Sequence, residues 1–316
     1  MQTVPLGPTE TLAPNVIAGM MRIGDKTDEE ITALYTAART AGVDFFDHAD
    51  LYGFSDPAGG RHFCESRFSS SLRLSAAERQ EITLQTKTGI VAEDWHYDSS
   101  YEHIVDSVEG SLRALDTDYI DVLLIHRPDA LVEPDEVARA FDDLENAGKV
   151  RSFGVSNHTP RQIELLRSAV RQPIVANQLQ LSITHSAIIA QGLASNMAAE
   201  ADAVTLDGGG VIDYCRLNDI TVQAWSPFQK GFQDGVFFGS DEYPQLNAEL
   251  ERLAARYGVA PIAIATAWIT RHPAAMQVVL GTTTPGRVAD AAAGSDIPLT
   301  RAEWYGLIQA AGHRVP

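Results

Sequence analysis

Four side chains suited to proton transfer stand near the ends of apolar runs in this 316-residue sequence: Asp47, Tyr52, Lys87 and His126. A phenol has a pKa of about 10 and is therefore a slow acid at neutral pH. A lysine ammonium beside it stabilises the phenolate and lowers that pKa, and an aspartate keeps the lysine charged. A neutral histidine can orient and polarise a carbonyl oxygen. Together these groups could protonate an alkoxide as it forms during hydride addition.

Each of the four residues has an ordinary structural explanation when it is taken alone. Asp47 could cap a helix, Tyr52 could pack with its hydroxyl satisfied, and His126 could be a buried core histidine. Lys87 follows Thr86 at the end of an apolar run, where a charge inside the fold requires a partner. Asp47 on the neighbouring run is the predicted partner. The chemical hypothesis therefore depends on a fold that brings these residues together.

The elements that must position them alternate regularly along the chain. Short apolar runs rich in Val, Ile and Leu are typical of parallel strands buried on both faces. Eight are predicted, at Val16–Met20, Val43–Asp47, Glu81–Lys87, Ile120–His126, Ser152–Ser156, Ile174–Gln178, Thr221–Ala224 and Gln277–Gly281. Helix starts follow these runs: Thr27 with Glu30 and, before a last helix near the C-terminus, Thr300 with Glu303 have capping-box spacing, and Thr284 precedes Pro285.

Eight strands alternating with helices predict either a (β/α)8 barrel or a large open doubly wound sheet. The first strand leads into Gly19-Met20-Met21-Arg22-Ile23-Gly24, which does not fit the G-x-G-x-x-G pattern of a dinucleotide-binding open sheet. No linker or composition break is visible. We therefore predict an α/β fold in which residues 1–316 form a single-domain (β/α)8 TIM barrel, with a short N-terminal hairpin and a C-terminal helix. Active sites of such barrels form at the carboxyl ends of the strands.

Several segments together resemble the aldo-keto reductase family. Residues 42–53, Gly-Val-Asp-Phe-Phe-Asp-His-Ala-Asp-Leu-Tyr-Gly, are similar to the family signature around its catalytic Asp and Tyr. Thr86-Lys87 and Ile125-His126 follow in the family's order, and residues 148–157 resemble a second signature. The likeness extends over nearly the whole chain. It is strongest to bacterial oxidoreductases of the family that carry His-Ala-Asp and Ile-His-Arg-Pro-Asp at these strands.

This resemblance implies an NADP(H)-dependent oxidoreductase that reduces an aldehyde or ketone to the alcohol by hydride transfer from the nicotinamide. It implies that Tyr52 is the general acid, that Lys87 tunes its pKa, that Asp47 pairs with Lys87, and that His126 orients the carbonyl.

The resemblance also implies a cofactor site. The matching positions are Met20, Met21 and Arg22 through their main chain, Ser156, Asn157 and Gln178 at the nicotinamide carboxamide, Trp225 stacked on the nicotinamide, Ser226 and Phe228 with Lys230 as a further candidate near the pyrophosphate, and Gly281, Thr282 and Arg287 at the adenosine phosphate. Many members have a lysine where this chain has Gly281, so NAD(H) stays open as an alternative, while Arg287 favours NADP(H). Trp95 would line the substrate pocket.

Composition excludes other partners. The formal net charge of −18 repels nucleic-acid phosphates and anionic lipids. The two cysteines, Cys64 and Cys215, suggest neither a disulfide framework nor a zinc site. The sequence shows no signal peptide and no apolar stretch of about 20 residues. We therefore expect a cytoplasmic protein, monomeric by default, whose partner is a small-molecule carbonyl compound.

The same residues are compatible with two other functions. Asp47, His48, Asp50 and His126 could be ligands of a metal-dependent barrel hydrolase, since Asp and His at strand ends bind divalent metals. That interpretation leaves Lys87 without a role, and His48 should point away from its neighbour Asp47 along an extended chain. The second alternative is a non-catalytic subunit that binds the cofactor as a redox sensor.

Overall fold

The computed structural model describes residues 1–193, 210–231, 234–313 and 315. Its strands are β1 Thr3–Pro5, β2 Leu12–Pro14, β3 Val16–Gly19, β4 Phe45–Asp47, β5 Thr83–Thr88, β6 Ile90–Val91, β7 His96–Tyr97, β8 Ile120–Ile125, β9 Val150–Ser156, β10 Ile174–Gln180, β11 Thr221–Trp225 and β12 Gln277–Leu280. Its helices are α1 Asp28–Thr40, α2 Phe63–Leu72, α3 Ala76–Gln80, α4 Tyr101–Leu115, α5 Pro134–Asn146, α6 Pro160–Arg167, α7 Ala187–Leu193, α8 Val211–Leu217, α9 Pro244–Tyr257, α10 Pro261–Thr270, α11 Pro285–Ala292 and α12 Arg301–Ala310.

The predicted barrel is confirmed. Strands β3, β4, β5, β8, β9, β10, β11 and β12 follow one another around a closed, parallel barrel, with β12 pairing with β3 to close it. All eight predicted strands form, with shifted ends. The second begins at Phe45 rather than Val43, because the Val43 N–H donates to the Ala38 carbonyl and closes the end of α1. The fifth begins earlier than predicted, at Val150, which pairs with Ile120.

The N-terminal hairpin and the C-terminal helix are also confirmed. Strands β1 and β2 pair antiparallel, and Leu6 and Ala13 belong to the apolar cluster inside the barrel. The Gly7 N–H donates to Thr221 Oγ1 over 2.8 Å, and a Cβ at Gly7 would lie 2.4 Å from Val175 Cα. Only glycine allows this approach. The hairpin therefore closes the amino-terminal end of the barrel.

The main apolar core lies between the strands and the helices around them. Helices α1 and α12 begin with the predicted capping boxes at Thr27 and Thr300, which satisfy main-chain N–H groups of the first turn. Helix α11 begins at Pro285 as predicted, without a side-chain cap from Thr284. These helices support the strands, so the loops at the carboxyl ends start from fixed positions.

Membrane-spanning potential is low in the part of the chain that the structure describes. No single helix there is long and apolar enough to cross a bilayer. Helices α9 and α10 meet the length and composition test only as a pair, bent by 92° at the break between them.

Candidate active site

Lys87 lies at the centre of the predicted catalytic group. Its ammonium donates to Asp47 Oδ2 over 2.7 Å, to the His48 carbonyl over 2.8 Å and to the Tyr52 hydroxyl oxygen over 2.8 Å. Lys87 is 1% exposed. An ammonium has three protons to donate, and all three are used. The structure therefore brings Asp47, Lys87 and Tyr52 together as the sequence predicts.

Strand pairing explains this meeting. Strands β4 and β5 are parallel neighbours, with Asp47 opposite Gln85, so Lys87 extends beyond the end of β4. The chain then turns, and the Tyr52 N–H donates to the Ala49 carbonyl over 3.1 Å. This turn returns the phenol over the end of β4.

A layer of four glutamine amides lies inside the barrel beneath Lys87. Asp47 Oδ1 accepts from Gln85 Nε2 over 2.6 Å and from Gln178 Nε2 over 2.9 Å. Gln223 Nε2 donates to both Gln85 Oε1 and Gln277 Oε1 over 3.0 Å. All four glutamines are buried. The layer fixes the Asp47 carboxylate through its second oxygen.

Sequence reasoning missed Gln85, Gln223 and Gln277, although a signal was present. Side chains two residues apart in a strand lie on the same face. Gln85 precedes Lys87 by two residues, so a lysine predicted to emerge from the barrel interior places Gln85 in that interior as well. A buried amide requires partners, and the glutamines supply them to each other.

Neighbouring charges in this cluster counteract the pKa shifts that burial alone would cause in Tyr52 and Lys87. Burial raises the pKa of Tyr52 above its ordinary value, and the neighbouring Lys87 ammonium counteracts this increase. Burial alone would lower the pKa of Lys87, but the Asp47 carboxylate and Tyr52 outweigh it and hold that pKa above its ordinary value. The net direction for Tyr52 differs from the expectation that Lys87 brings the phenol pKa below its usual range. Lys87 instead limits the increase that burial causes.

His126 directly follows β8, and its ring lies next to that of Tyr52. Its ring is edge-on to the Tyr52 ring, with centroids 6.0 Å apart. Burial holds the pKa of His126 well below its ordinary value, and the Lys87 and Arg127 charges add to this effect. The imidazole is therefore neutral at neutral pH, as the sequence analysis expects.

Three of the predicted nicotinamide residues form a connected network next to His126. Ser156 Oγ donates to the Gln178 carbonyl over 2.8 Å. Asn157 Nδ2 donates to Ser156 Oγ over 2.8 Å and to the His126 carbonyl over 3.2 Å. Trp225 Nε1 donates to Asn157 Oδ1 over 3.0 Å. The indole plane is thus oriented by the Asn157 amide, which also donates to the His126 carbonyl.

Gln178 is placed differently from the other predicted nicotinamide residues. It is 2% exposed, and its amide nitrogen donates to Asp47 and to Gln223 inside the barrel. Its amide N–H groups therefore serve the glutamine layer.

Six further predicted cofactor residues, Met20, Met21, Arg22, Ser226, Phe228 and Lys230, lie in the segments that follow β3 and β11. Met20 is buried, Met21 is exposed, and the Arg22 guanidinium donates to the Gly281 carbonyl over 3.3 Å, which joins the loops after β3 and β12. Ser226 has a left-handed backbone with φ 51°. The other two side chains, Phe228 and Lys230, are engaged within the protein, by the Phe238 ring and by Glu242.

The first turn of α11 carries a cation, Arg287, next to the loop that follows β12. Thr282 Oγ1 accepts from the Thr284 N–H over 3.2 Å. The Arg287 side chain is exposed and, in the described part of the chain, has neither an ion pair nor a hydrogen bond. Around Gly281 an added Cβ would meet no described residue within 4 Å.

Trp95 lies in the turn of the β6–β7 hairpin, which follows β5 on the side where Lys87 emerges. Its backbone is left-handed, with φ 54°, and its side chain is 67% exposed. Sequence analysis placed it in a loop and did not predict the hairpin, because strands of two residues carry no readable period.

The ligands of the metal-site alternative do not converge. His48 is completely buried with its ring edge-on to Phe68 at 4.8 Å, and Asp50 accepts from Ser107 Oγ over 2.6 Å. Among the described residues no three His, Cys, Asp or Glu side chains are grouped so that they could hold a metal ion.

Comparison with known proteins agrees with this geometry. The family model described as "Aldo/keto reductase family" matches residues 15–310. The chain belongs to that family. It is therefore a member of a family of oxidoreductases, and its barrel is the fold of that family.

Two relatives of this aldo/keto reductase are similar over nearly their full length. A 6-dehydroglucose reductase of Agrobacterium fabrum is 34% identical over 303 residues, 92% of each chain. An uncharacterized oxidoreductase, YcsN, of Bacillus subtilis is 35% identical over 314 residues, 95% of each chain. A glycerol dehydrogenase from Gluconobacter oxydans, a solved structure, has a TM-score of 0.77 at 23% identity and covers 98% of this chain and 95% of its own. At that identity the likeness is one of fold.

One further group in this aldo/keto reductase escaped sequence reasoning. Glu65 on α2 is completely buried and accepts from Thr86 Oγ1 over 2.6 Å and from Ser111 Oγ over 3.1 Å. Burial alone would raise the pKa of Glu65, but hydrogen bonds from His62 and Thr86 keep it below its ordinary value. This carboxylate links α2 to β5 through Thr86, the residue that precedes Lys87.

Proposed function

We propose that this protein is an NADP(H)-dependent reductase of aldehydes or ketones in which Tyr52 is the general acid. The observation that carries the proposal is the position of Lys87 Nζ, 2.8 Å from the Tyr52 oxygen and 2.7 Å from Asp47 Oδ2. A phenol held against a buried ammonium can lose its proton without leaving an uncompensated phenolate.

Each residue of the group has a part in proton delivery. Tyr52 donates its proton to the carbonyl oxygen as negative charge develops there. Lys87 stabilises the phenolate that remains, and Asp47 keeps Lys87 charged. His126, being neutral, donates a hydrogen bond to the same oxygen and orients it. The glutamine layer supports this by holding Asp47 in one orientation.

The residues around Trp225 fit a nicotinamide cofactor. The Trp225 ring is only partly buried, and its N–H is fixed by Asn157, so one aromatic face can be presented in a constant orientation. Asn157 accepts from the Trp225 N–H and donates to Ser156, and Met20–Arg22 and Ser226 follow the carboxyl ends of β3 and β11, the end of the barrel at which Lys87 lies. When bound, the cofactor supplies the hydride. The chain's own residues bind it, exclude water and deliver the proton.

The choice of NADP(H) over NAD(H) rests on Arg287. Its guanidinium has no partner among the described residues, and Arg287 lies in the first turn of α11, which follows the loop that carries Thr282. An arginine and a helix amino terminus both favour a phosphate. Because the site residues come from loops after most strands of the barrel, we propose that residues 1–316 act as one catalytic domain.

A binding titration followed by turnover tests the proposal. The purified protein is titrated with NADPH and with NADH while tryptophan fluorescence is followed, and an aldehyde is then added. We expect tighter saturation by NADPH than by NADH, followed by oxidation of the bound cofactor. Tyr52→Phe should bind NADPH nearly as well while turnover falls by about 100-fold or more, because the acid is lost.

Arg287→Gln is the matched variant for cofactor choice. It should weaken NADPH about tenfold or more and leave NADH nearly unchanged, since only NADPH carries the extra phosphate. Equal turnover by Tyr52→Phe and the unaltered protein would show that another group is the acid. Failure to bind either nucleotide would overturn the proposed function.

A further inference from the structure

Arg127 is a cation without a counterion at the mouth of the barrel. It directly follows His126 and is only half-buried. In the described part of the chain its guanidinium has neither an ion pair nor a hydrogen bond, and its neighbour is the Trp225 ring, whose centroid lies 5.8 Å from the guanidinium carbon. The side chain therefore extends across the mouth from the end of β8 towards the end of β11.

The lack of an ion pair distinguishes Arg127 from the other described arginines that are not exposed. Every other described arginine that is not exposed pairs with a carboxylate. These pairs are Arg39 with Glu81, Arg61 with Asp106, Arg67 with Asp28, and Arg79 with Asp121. Withdrawing a guanidinium from water without a partner is unfavourable. A ligand that supplies the missing negative charge would remove that cost.

The nearest acidic residue in sequence does not fill this role. Asp129 Oδ2 accepts from the Ser99 N–H over 3.0 Å, and its Oδ1 accepts from the Leu131 N–H over 2.8 Å. Both oxygens therefore serve the main chain of the surrounding loops. They fix the loop that carries Arg127 and leave the guanidinium directed at the opening beside His126.

We propose that Arg127 binds a carboxylate of the substrate, so that the preferred substrates are aldehydes or ketones that also bear a carboxylate. This inference rests on the proposed reductase function. A guanidinium presents paired N–H groups that match the two oxygens of a carboxylate. The chain as a whole carries a net charge of −18, so an anionic substrate requires a local cation of this kind. Contact at Arg127 fixes the far end of the substrate while its carbonyl lies against His126 and Tyr52.

A matched pair of substrates tests the inference. 4-Formylbenzoate and its methyl ester differ in charge but little in shape. Initial rates with NADPH are measured for the unaltered protein, for Arg127→Gln, and for Arg171→Gln. Arg171 precedes β10 at the opposite end of the barrel and pairs with Asp142, so its variant removes the same charge away from the mouth.

We expect the unaltered protein to favour 4-formylbenzoate over its ester by about tenfold or more in kcat/KM, chiefly through a lower KM. Arg127→Gln should remove most of that preference, and Arg171→Gln should retain it. An absent preference, or one that Arg127→Gln leaves intact, overturns the inference while the reductase function stands.

Two further outcomes separate the cofactor from the substrate. If Arg127→Gln weakens NADPH binding in the fluorescence titration and lowers both rates equally, Arg127 serves the cofactor and the inference is wrong. If the unaltered protein binds no nicotinamide nucleotide, the proposed function itself fails. The nucleotide titration therefore distinguishes the two failures.

Discussion

Lys87 holds the candidate site together because its charge is both buried and fully used. Three hydrogen bonds, to Asp47, to the His48 carbonyl and to Tyr52, replace the water that it loses. The sequence could predict this partnership, since Asp47 and Lys87 end neighbouring strands. It could not predict the direction of the Tyr52 pKa shift, because that depends on how deeply the phenol is buried.

Replacing Lys87 by Met tests its part in proton delivery. The variant removes the cation that limits the increase in the Tyr52 pKa, so the phenolate becomes harder to form and aldehyde reduction should fall by about 100-fold or more. Because the Tyr52 pKa is raised, the phenol of the unaltered protein stays protonated at neutral pH. The rate of aldehyde reduction by the unaltered protein should therefore change little with pH near neutrality. Steady-state rates from pH 6 to about pH 9 provide the measurement.

Lys149→Met is the control. Lys149 directly precedes β9, at the other end of the barrel from Lys87, and pairs with Glu109. The control variant should reduce aldehydes at the rate of the unaltered protein. Circular dichroism and NADPH titration establish that Lys87→Met is folded. A folded Lys87→Met that works at the normal rate contradicts the role assigned to Lys87.

At the scale of elements, the strand order and the helix starts followed from the sequence, and the strand ends did not. Apolar runs mark strands because both faces are buried, and Thr27 and Thr300 mark helices because their hydroxyls cap the first turn. Pairing decides where a strand begins. Val150 belongs to β9 because it pairs with Ile120, a contact between residues distant in sequence.

Close packing of strands predicts a severe effect at Gly154 in β9. An added Cβ would lie 2.6 Å from Leu124 Cδ2 and 2.8 Å from the Ala176 carbonyl oxygen, on the two neighbouring strands. Gly154→Ala should therefore lower the free energy of unfolding by about 1–3 kcal/mol, because overpacking shifts the backbone. Urea denaturation followed by circular dichroism measures this.

Gly192→Ala in α7 is the comparison, because an added Cβ there meets nothing within 4 Å among the residues that the structure describes. It should leave the stability unchanged or raise it by up to about 1 kcal/mol, since alanine favours a helix. Equal stability of the two variants would show that the barrel accommodates a side chain at Gly154.

For the whole molecule, buried neutral histidines link stability to pH. Burial lowers the pKa of His48, His158 and His272 from 6.5 to about 4. Between these values the unfolded chain binds protons that the folded protein does not, so stability falls as pH falls from 6.5 towards 4. Asp50, whose pKa burial raises to about 6, binds a proton in the folded state and offsets one histidine.

Urea denaturation at pH 7.5, 5.5 and 4.5 measures this dependence. The free energy of unfolding should decrease by about 1.4 kcal/mol per pH unit for each histidine that is not offset. His48→Leu removes one such group, whose ring nitrogens have no hydrogen-bond partner among the described residues, and should flatten the slope accordingly. A slope of zero, or stability that increases towards pH 4.5, would contradict the account.

Under the proposed function, the glutamine layer has a consequence for how Tyr52 regains its proton after it acts as the acid. Gln223 donates to Gln277, and Gln277 donates to the Pro14 carbonyl, where the series ends. Amides and a main-chain carbonyl neither release nor take up protons near neutral pH, so this path along the barrel axis does not conduct. This amide path therefore cannot relay a proton to Tyr52 from the amino-terminal end of the barrel, and under the proposed function we expect Tyr52 to be reprotonated from the end at which the strand carboxyl termini lie.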